Sequence, residues 1–158
     1  MTINSKDDKI LIMGLGNVLL NDEGIGVQVV REMENLKLPD NVDLLDGGTG
    51  GFVLLSLFQD YNIIIIIDAT LGDEEIGNIK VLEPKFSSDF PKSLSTHELG
   101  MKDMIESAML LEKVPKLYLV AVNINPQQDM DMKVSPLMMK KVPEIVDIVL
   151  KILEKVNK

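Results

Sequence analysis

Apolar positions along the chain form short runs that are typical of strands and longer stripes that are typical of helices. Strands are predicted at residues 9–15, 42–45, 63–67 and 116–122, where apolar side chains cluster in short segments. The segment 63–67 is a run of consecutive isoleucines, the pattern of a central strand that is covered on both faces. Residues 77–83 alternate apolar and polar side chains, which predicts a half-exposed edge strand.

Helices are predicted where apolar residues recur at helical spacing. This spacing is found over residues 22–36 and 95–113, and a compact apolar helix is predicted at residues 52–58. A last helical region opens with the pair Ser135-Pro136, because proline suits the first turn of a helix. Strands and helices therefore alternate along most of the chain.

This alternation predicts an α/β fold. We expect a twisted, mostly parallel five-stranded sheet with one antiparallel edge strand and helices on both faces, in three layers. Residues 1–8 are expected to be a flexible N-terminal lead, and residues 9–158 a single domain. Ligands of such sheets bind at the carboxyl ends of the strands, so the candidate chemistry should lie in the loops that follow them.

The amino-acid composition excludes several kinds of catalytic and metal-binding site. The 158 residues include no cysteine and a single histidine, His97. Disulfides, cysteine-held metals, thiol nucleophiles and metal sites with two histidines from one chain are therefore excluded. A net charge of −9, with Arg31 as the only arginine, argues against nucleic acid and anionic membranes as partners. The polar N-terminus has no apolar segment typical of a signal peptide, so we expect a cytoplasmic protein.

The loop after the first strand resembles a dinucleotide-binding fingerprint only at its start. Gly14 and Gly16 fit the fingerprint, but Leu19 stands where the third glycine is required. The loop also runs on for several residues before the helix begins, so a pyrophosphate would not meet the helix N-terminus directly. Nucleotide binding is therefore disfavoured.

The same loop ends with two acidic residues, Asp22 and Glu23. The structural interpretation is helix capping, with Asp22 as the N-cap residue. Capping does not explain Gly24 and Gly26 in the first helical turn, where glycine lowers helix propensity by about 1 kcal/mol relative to alanine. Glycines there indicate that another backbone or a ligand passes close by, which leaves a functional role open for Glu23.

Two further candidates follow later strands. Asp68 ends the isoleucine run, where a partly desolvated carboxylate needs a partner, either a neighbouring loop or a metal ion. His97 lies inside the capping box formed by Ser95 and Glu98, and the helix dipole there favours the neutral imidazole that binds metals. A parallel sheet brings Glu23, Asp68 and His97 together as a set that suits a divalent transition metal.

A glycine-rich segment follows the second strand and begins with Asp46. Glycines in such a segment mark positive φ or the close approach of another backbone. The segment is therefore either a tight turn between strand and helix or a mobile loop that receives an extended peptide. Its candidate substrate-contacting residues are Gly47, Gly48, Thr49 and Gly50.

In their order along the chain, these motifs resemble those of the nickel–iron hydrogenase maturation proteases. The family pattern G-x-G-N-x-L-x-x-D-E-x-x-G is matched by residues 14–26. Its Asp-Gly-Gly-Thr, Asp-Ala, His-x-x-Gly and Ser-Pro steps are matched by residues 46–49, 68–69, 97–100 and 135–136. The resemblance covers nearly the whole chain.

The resemblance implies an endopeptidase that removes the C-terminal extension from the large-subunit precursor of a hydrogenase after nickel has been inserted. It also implies that Glu23, Asp68 and His97 bind the metal ion, and that the nickel belongs to the substrate. Two mechanisms stay open. Either the metal assists hydrolysis while Asp46 or Asp68 acts as the base, or paired carboxylates act as in an aspartic protease.

Two other classes of function remain as alternatives on the same scaffold. One is a metal- or nucleotide-binding module without catalytic activity. The other is a chaperone that only holds the tail of the precursor. A cleavage assay with a nickel-loaded precursor distinguishes these alternatives from the protease, because neither alternative cleaves the precursor.

Overall fold

The computed structural model describes residues 8–17, 19–48, 56–85, 89, 91–94, 107, 110, 114–126, 130 and 133–157. Its sheet has five strands in the order β2-β1-β3-β5-β4. The strands are β1 (Ile10–Leu15), β2 (Val42–Gly48), β3 (Ile63–Thr70), β4 (Ile79–Leu82) and β5 (Lys116–Asn123). All neighbouring strands are parallel except β4, which pairs antiparallel with β5 at one edge. The predicted mixed sheet is confirmed.

The isoleucine strand β3 lies at the centre of the sheet, as predicted. Ile63, Ile65 and Ile67 belong to the hydrophobic cluster on one face of the sheet. Ile64 and Ile66 belong to the cluster on the opposite face. Because successive side chains of a strand alternate between faces, an uninterrupted run of β-branched residues suits a strand that is buried on both sides.

Helices cover the first of these faces. They are a 3₁₀ turn at Asn21–Gly24 followed by α1 (Ile25–Met33), a short α2 (Pro136–Met139) and α3 (Val142–Val156). Their apolar residues share one cluster with Ile10 and Ile12 of β1. In the described parts of the chain, no helix is long and apolar enough to cross a membrane.

The opposite face is covered by Phe58 and Leu94, which pack on Leu11, Met13 and the other residues of the second cluster. Ser56 and Leu57 are helical, at the end of the helix predicted at residues 52–58. The rest of that helix and nearly all of the helix predicted at residues 95–113 lie outside the described residues, as do residues 1–7 of the predicted lead.

Several predicted boundaries differ from the structure. The strand predicted at residues 42–45 runs on to Gly48, and the one predicted at 63–67 runs on to Thr70, because both keep pairing with their neighbours. In the edge strand, Ile79 is partly buried as expected, but Val81 on the same face is 46% exposed. An edge position leaves it with fewer neighbouring side chains.

The first helix begins against the sheet with no space between the two backbones. A Cβ atom on Gly14 of β1 would lie 2.2 Å from the carbonyl oxygen of Gly26 in α1. A Cβ atom on Gly26 would lie 2.2 Å from the carbonyl oxygen of Ile67 and 2.7 Å from that of Leu15. The prediction that another backbone passes close to this turn is therefore confirmed at Gly26.

We predict that Gly26→Ala destabilises the fold by about 3 kcal/mol or more, because a methyl group has no space between α1 and the strand ends. The matched control is Gly72→Ala, where the nearest atom to a new Cβ would be 3.4 Å away. Urea unfolding of both variants measures the difference. Equal stability of the two variants would contradict this close packing.

Candidate active site

Asp68 lies near the carboxyl end of β3 and is fully buried. One of its carboxylate oxygens, Oδ1, accepts a hydrogen bond of 2.8 Å from the backbone N–H of Ala69. The sequence placed Asp68 in the loop after its strand, whereas the structure keeps it inside the strand, opposite Ala121 of β5. Its orientation is therefore fixed by the sheet, which suits a residue that must hold a ligand in a defined position.

Glu23 lies in the 3₁₀ turn that follows β1 and is partly buried. Desolvation by the surrounding protein raises the pKa of its carboxyl group. No ion pair or hydrogen bond joins this carboxylate to any residue that the structure describes. A partly buried acid without a compensating partner is the kind of residue that functional sites use to bind a cation or a proton.

Gly16 lies between the backbone of Glu23 and the side chain of Asp68. Its φ of +134° is a conformation that glycine adopts readily, and a Cβ atom there would lie 1.8 Å from the carbonyl oxygen of Glu23. The same Cβ position is 3.8 Å from Oδ1 of Asp68. The loop after β1 therefore carries Glu23 to the carboxyl end of β3, as the sequence predicts.

Asp22 does not cap the helix, so that prediction was wrong. The positions before the 3₁₀ turn and before α1 are Leu20 and Gly24, and neither makes a side-chain capping hydrogen bond. Asp22 is instead buried and accepts two hydrogen bonds from Ser135, one from its backbone N–H at 2.7 Å and one from its hydroxyl at 2.8 Å. Asp22 does not cap the helix because both of its carboxylate oxygens already accept hydrogen bonds from the distant Ser135.

Ser135 in turn begins the helix α2. Its hydroxyl oxygen accepts a hydrogen bond of 3.4 Å from the N–H of Met138, so the predicted role of the serine–proline pair is confirmed. The link to Asp22 was not predicted, because the two residues are 113 positions apart and nothing in a single sequence connects them. This link holds the loop of Glu23 against the start of α2.

Asp46 lies on the other side of the sheet from Asp68. It pairs in register with Gly14, faces α1 and forms an ion pair of 3.3 Å with Arg31 at the end of that helix. Asp68 faces the opposite side, together with Ile66. β1 also separates the two strands that carry Asp46 and Asp68. The structure therefore does not bring Asp46 and Asp68 together as a pair of carboxylates.

The glycine-rich segment begins as strand and not as a turn. Gly48 still pairs with Leu15 of β1. A Cβ atom on Gly47 would lie 2.8 Å from the Leu15 side chain and 3.0 Å from that of Met13, so a larger residue would press on the core. Of the predicted substrate-contacting residues, Thr49 and Gly50 lie outside the described residues. The strand therefore ends later than predicted, and the choice between a tight turn and a mobile loop falls on residues outside the described part of the chain.

His97 lies outside the described residues, so its place relative to the two acids stays a prediction. Within the described ranges no group of three potential ligands surrounds a common point. The chain before His97 is nevertheless anchored to β3. Leu94 forms an antiparallel bridge with Thr70, and the carbonyl oxygen of Ser93 accepts a hydrogen bond of 2.8 Å from the N–H of Leu71.

The fold and these residues define an α/β domain with an acidic site at the carboxyl edge of its sheet. The model of the HycI family, described as hydrogenase maturation protease, matches residues 27–152. The hydrogenase 2 maturation protease of Escherichia coli is 37% identical over 72% of this chain and 72% of its own length. The hydrogenase expression/formation protein HupD of Bradyrhizobium diazoefficiens is 37% identical over 80% of this chain and 67% of its own length.

A solved structure agrees with these sequence comparisons. The hydrogenase maturating endopeptidase HybD of E. coli superposes with a TM-score of 0.83 at 32% identity, and the match covers 93% of both chains. The chain therefore belongs to the hydrogenase maturation protease family, and its enzyme class is endopeptidase. The family resemblance stated from the motifs is confirmed.

We predict that Asp22→Ala lowers the free energy of unfolding by roughly 1.5–3 kcal/mol, because Ser135 loses a charged acceptor for both of its donors. Ser135→Ala keeps the backbone donor and should cost less, about 1 kcal/mol. A double-mutant cycle by urea unfolding should show coupling between the two positions. Asp147→Ala on the exposed side of α3 is the control, and additive effects of the two substitutions would contradict the link.

Proposed function

We propose that this protease cleaves the C-terminal extension from the nickel-loaded large-subunit precursor of a nickel–iron hydrogenase. The observation that carries the proposal is the approach of the 3₁₀ turn that contains Glu23 to the buried Asp68, with only Gly16 between them. Family membership supports the substrate class, since the E. coli relative is a hydrogenase 2 maturation protease. The nickel is part of the substrate in this proposal.

We propose Glu23, Asp68 and His97 as the ligands that engage this metal. The two described acids fit the role, since the N–H of Ala69 orients Asp68 within its strand, and Glu23 is partly buried with no counter-charge among the described residues. His97 is three residues beyond the anchored Leu94, and three extended residues span at most about 10 Å. Carboxylate oxygens together with an imidazole nitrogen are acceptable to a divalent transition metal such as nickel.

In the proposed reaction, water attacks the carbonyl carbon of the scissile peptide bond. A bound metal supplies Lewis acidity toward that carbonyl. Of the two candidate bases, Asp68 lies at the site, whereas Asp46 is paired with Arg31 on the other side of the sheet. We therefore propose that Asp68 accepts the proton of the attacking water and returns it to the leaving amine.

Asp46 has a different proposed task. Its ion pair with Arg31 ties the end of β2 to α1, directly before the glycine-rich segment. The ion pair would then fix the position at which the glycine-rich segment begins. The residues of this segment that we propose to contact the substrate peptide are Gly47, Gly48, Thr49 and Gly50. Both side chains of the pair are about half exposed, so we expect the pair to contribute little to stability, less than about 1 kcal/mol.

The test is mass spectrometry of a nickel-loaded precursor incubated with this protein. We expect loss of one discrete C-terminal fragment with the wild-type chain and at least a hundredfold slower loss with Glu23→Gln, Asp68→Asn or His97→Ala. The same precursor without nickel should stay intact. Asp147→Asn, which changes an exposed acid of α3, is the control and should cleave like the wild type.

The same variants separate a functional from a structural role for Glu23. Because desolvation disfavours its charge, metal-free Glu23→Gln should have an unchanged or slightly higher Tm than the wild type.

Binding of the precursor without any change in its mass would contradict the protease and favour the chaperone. Thermal stabilisation by nucleotides, with no effect of nickel, would favour the non-catalytic module.

A further inference from the structure

A cavity of about 460 Å³ lies at the carboxyl ends of β3 and β5, next to the position of Asp68 in the sheet. Ala121, which pairs with Asp68 in the sheet, forms part of its wall, and so does Thr70, two residues beyond Asp68 on the same face. The volume is within the usual range of small-ligand sites, about 300–1,000 Å³. A peptide bound at Asp68 therefore has this cavity directly beside it.

Three side-chain oxygens of this cavity converge beside Gly72. A Cβ atom on Gly72 would lie 3.4 Å from Oγ of Ser93 and 3.7 Å from both Oγ1 of Thr70 and Oδ1 of Asn123. The two hydroxyl groups are 2.6 Å apart, so one donates to the other and a single hydroxyl proton remains for a ligand. The absence of a side chain at residue 72 leaves this space open.

Asn123 gives the cavity its chemical preference. The residue is 1% exposed, and its amide nitrogen donates to the backbone carbonyl oxygens of Glu74 and, at 3.2 Å, of Glu75. These bonds fix the orientation of the amide, so that its oxygen faces the side of Gly72. That oxygen is buried and has no hydrogen-bond partner among the described residues. A buried acceptor of this kind favours a ligand that supplies a donor.

The charges on the described part of the wall balance. Asp73 and Glu74 bring two carboxylates, and Lys80 and Lys92 bring two ammonium groups. Glu74 is paired with Lys80 and also accepts a hydrogen bond from Asn78, while Asp73 and Lys92 are exposed to solvent. The preference of the cavity therefore rests on the oxygen of Asn123, which a hydrogen-bond donor satisfies and an anionic group does not.

We infer that this cavity is a specificity subsite that receives a substrate side chain with a hydrogen-bond donor, from a residue close to the scissile bond. The inference rests on the proposed function, since it assigns a contact within the same substrate. The side chain donates to Oδ1 of Asn123 and meets the hydroxyl groups of Thr70 and Ser93. A side chain of similar size without a donor leaves the asparagine oxygen unpaired and is therefore discriminated against.

The test combines Gly72→Ala with a leucine scan of the precursor on both sides of its cleavage site. The new methyl group has only ordinary contacts, so the variant should fold, but it fills the point at which the oxygens converge. With the wild-type protease, leucine at one donor-bearing position should lower kcat/KM about tenfold or more. With Gly72→Ala, the native precursor should be cleaved about tenfold more slowly, and that leucine penalty should disappear.

Thr70→Val, which removes one hydroxyl group at nearly constant shape, provides a second variant and should reduce the same penalty in part. If both variants keep the full leucine penalty, the cavity holds only structural water and the inference is overturned. A loss of kcat/KM in Lys92→Gln with no effect of Gly72→Ala would indicate an anionic ligand and would also overturn it.

Calorimetric binding of the same precursors separates this inference from the proposed function. If the wild type binds but does not cleave, the proposed function fails, and the leucine scan of the dissociation constants still decides the subsite. If the wild type cleaves and no leucine position depends on Gly72, the proposed function stands and the subsite fails. If the wild type neither binds nor cleaves, both fail.

Discussion

The contact between the backbones of α1 and the ends of β1 and β3 is the constraint on which the rest of the site depends. Gly14 and Gly26 have no side chains, so the first helix starts against the carbonyl oxygens of Leu15 and Ile67. A separation wider by one methyl group would move the 3₁₀ turn away from the sheet. Because Glu23 is in that turn, this close packing is what brings it to the carboxyl end of β3.

The acidic residues around this contact have different partners and therefore different tasks. Asp22 is satisfied by two donors of Ser135, and Asp46 is paired with Arg31, so both fasten loops. Glu23 is partly desolvated, and no residue in the described part of the chain supplies a counter-charge to it. Asp68 is buried in the central strand next to the cavity of Gly72 and Asn123. The protein thus leaves one carboxylate available and fixes the other, an arrangement that suits capture of a cation presented by another chain.

The sequence predicted the features that depend on local pattern. The isoleucine run specified a central strand, the alternation at residues 77–83 an edge strand, and the glycines of the first helical turn a close backbone approach. Predictions from the sequence were wrong where the role of a residue depends on a partner that is distant along the chain. Asp22 was expected to cap a helix. Its hydrogen bonds with Ser135 could not be foreseen, because the two residues are 113 positions apart in the sequence. The two sides of the sheet on which Asp46 and Asp68 lie follow from strand register, which the sequence alone did not provide.

The most direct test of this account is a crystal structure of the chain soaked with nickel, in which anomalous scattering locates the metal. We expect one principal site, with oxygens of Glu23 and Asp68 and a ring nitrogen of His97 at about 2 Å from the ion. A metal bound elsewhere, or at Asp68 without Glu23, would contradict the claim that the glycine contact assembles a metal-engaging site from these residues.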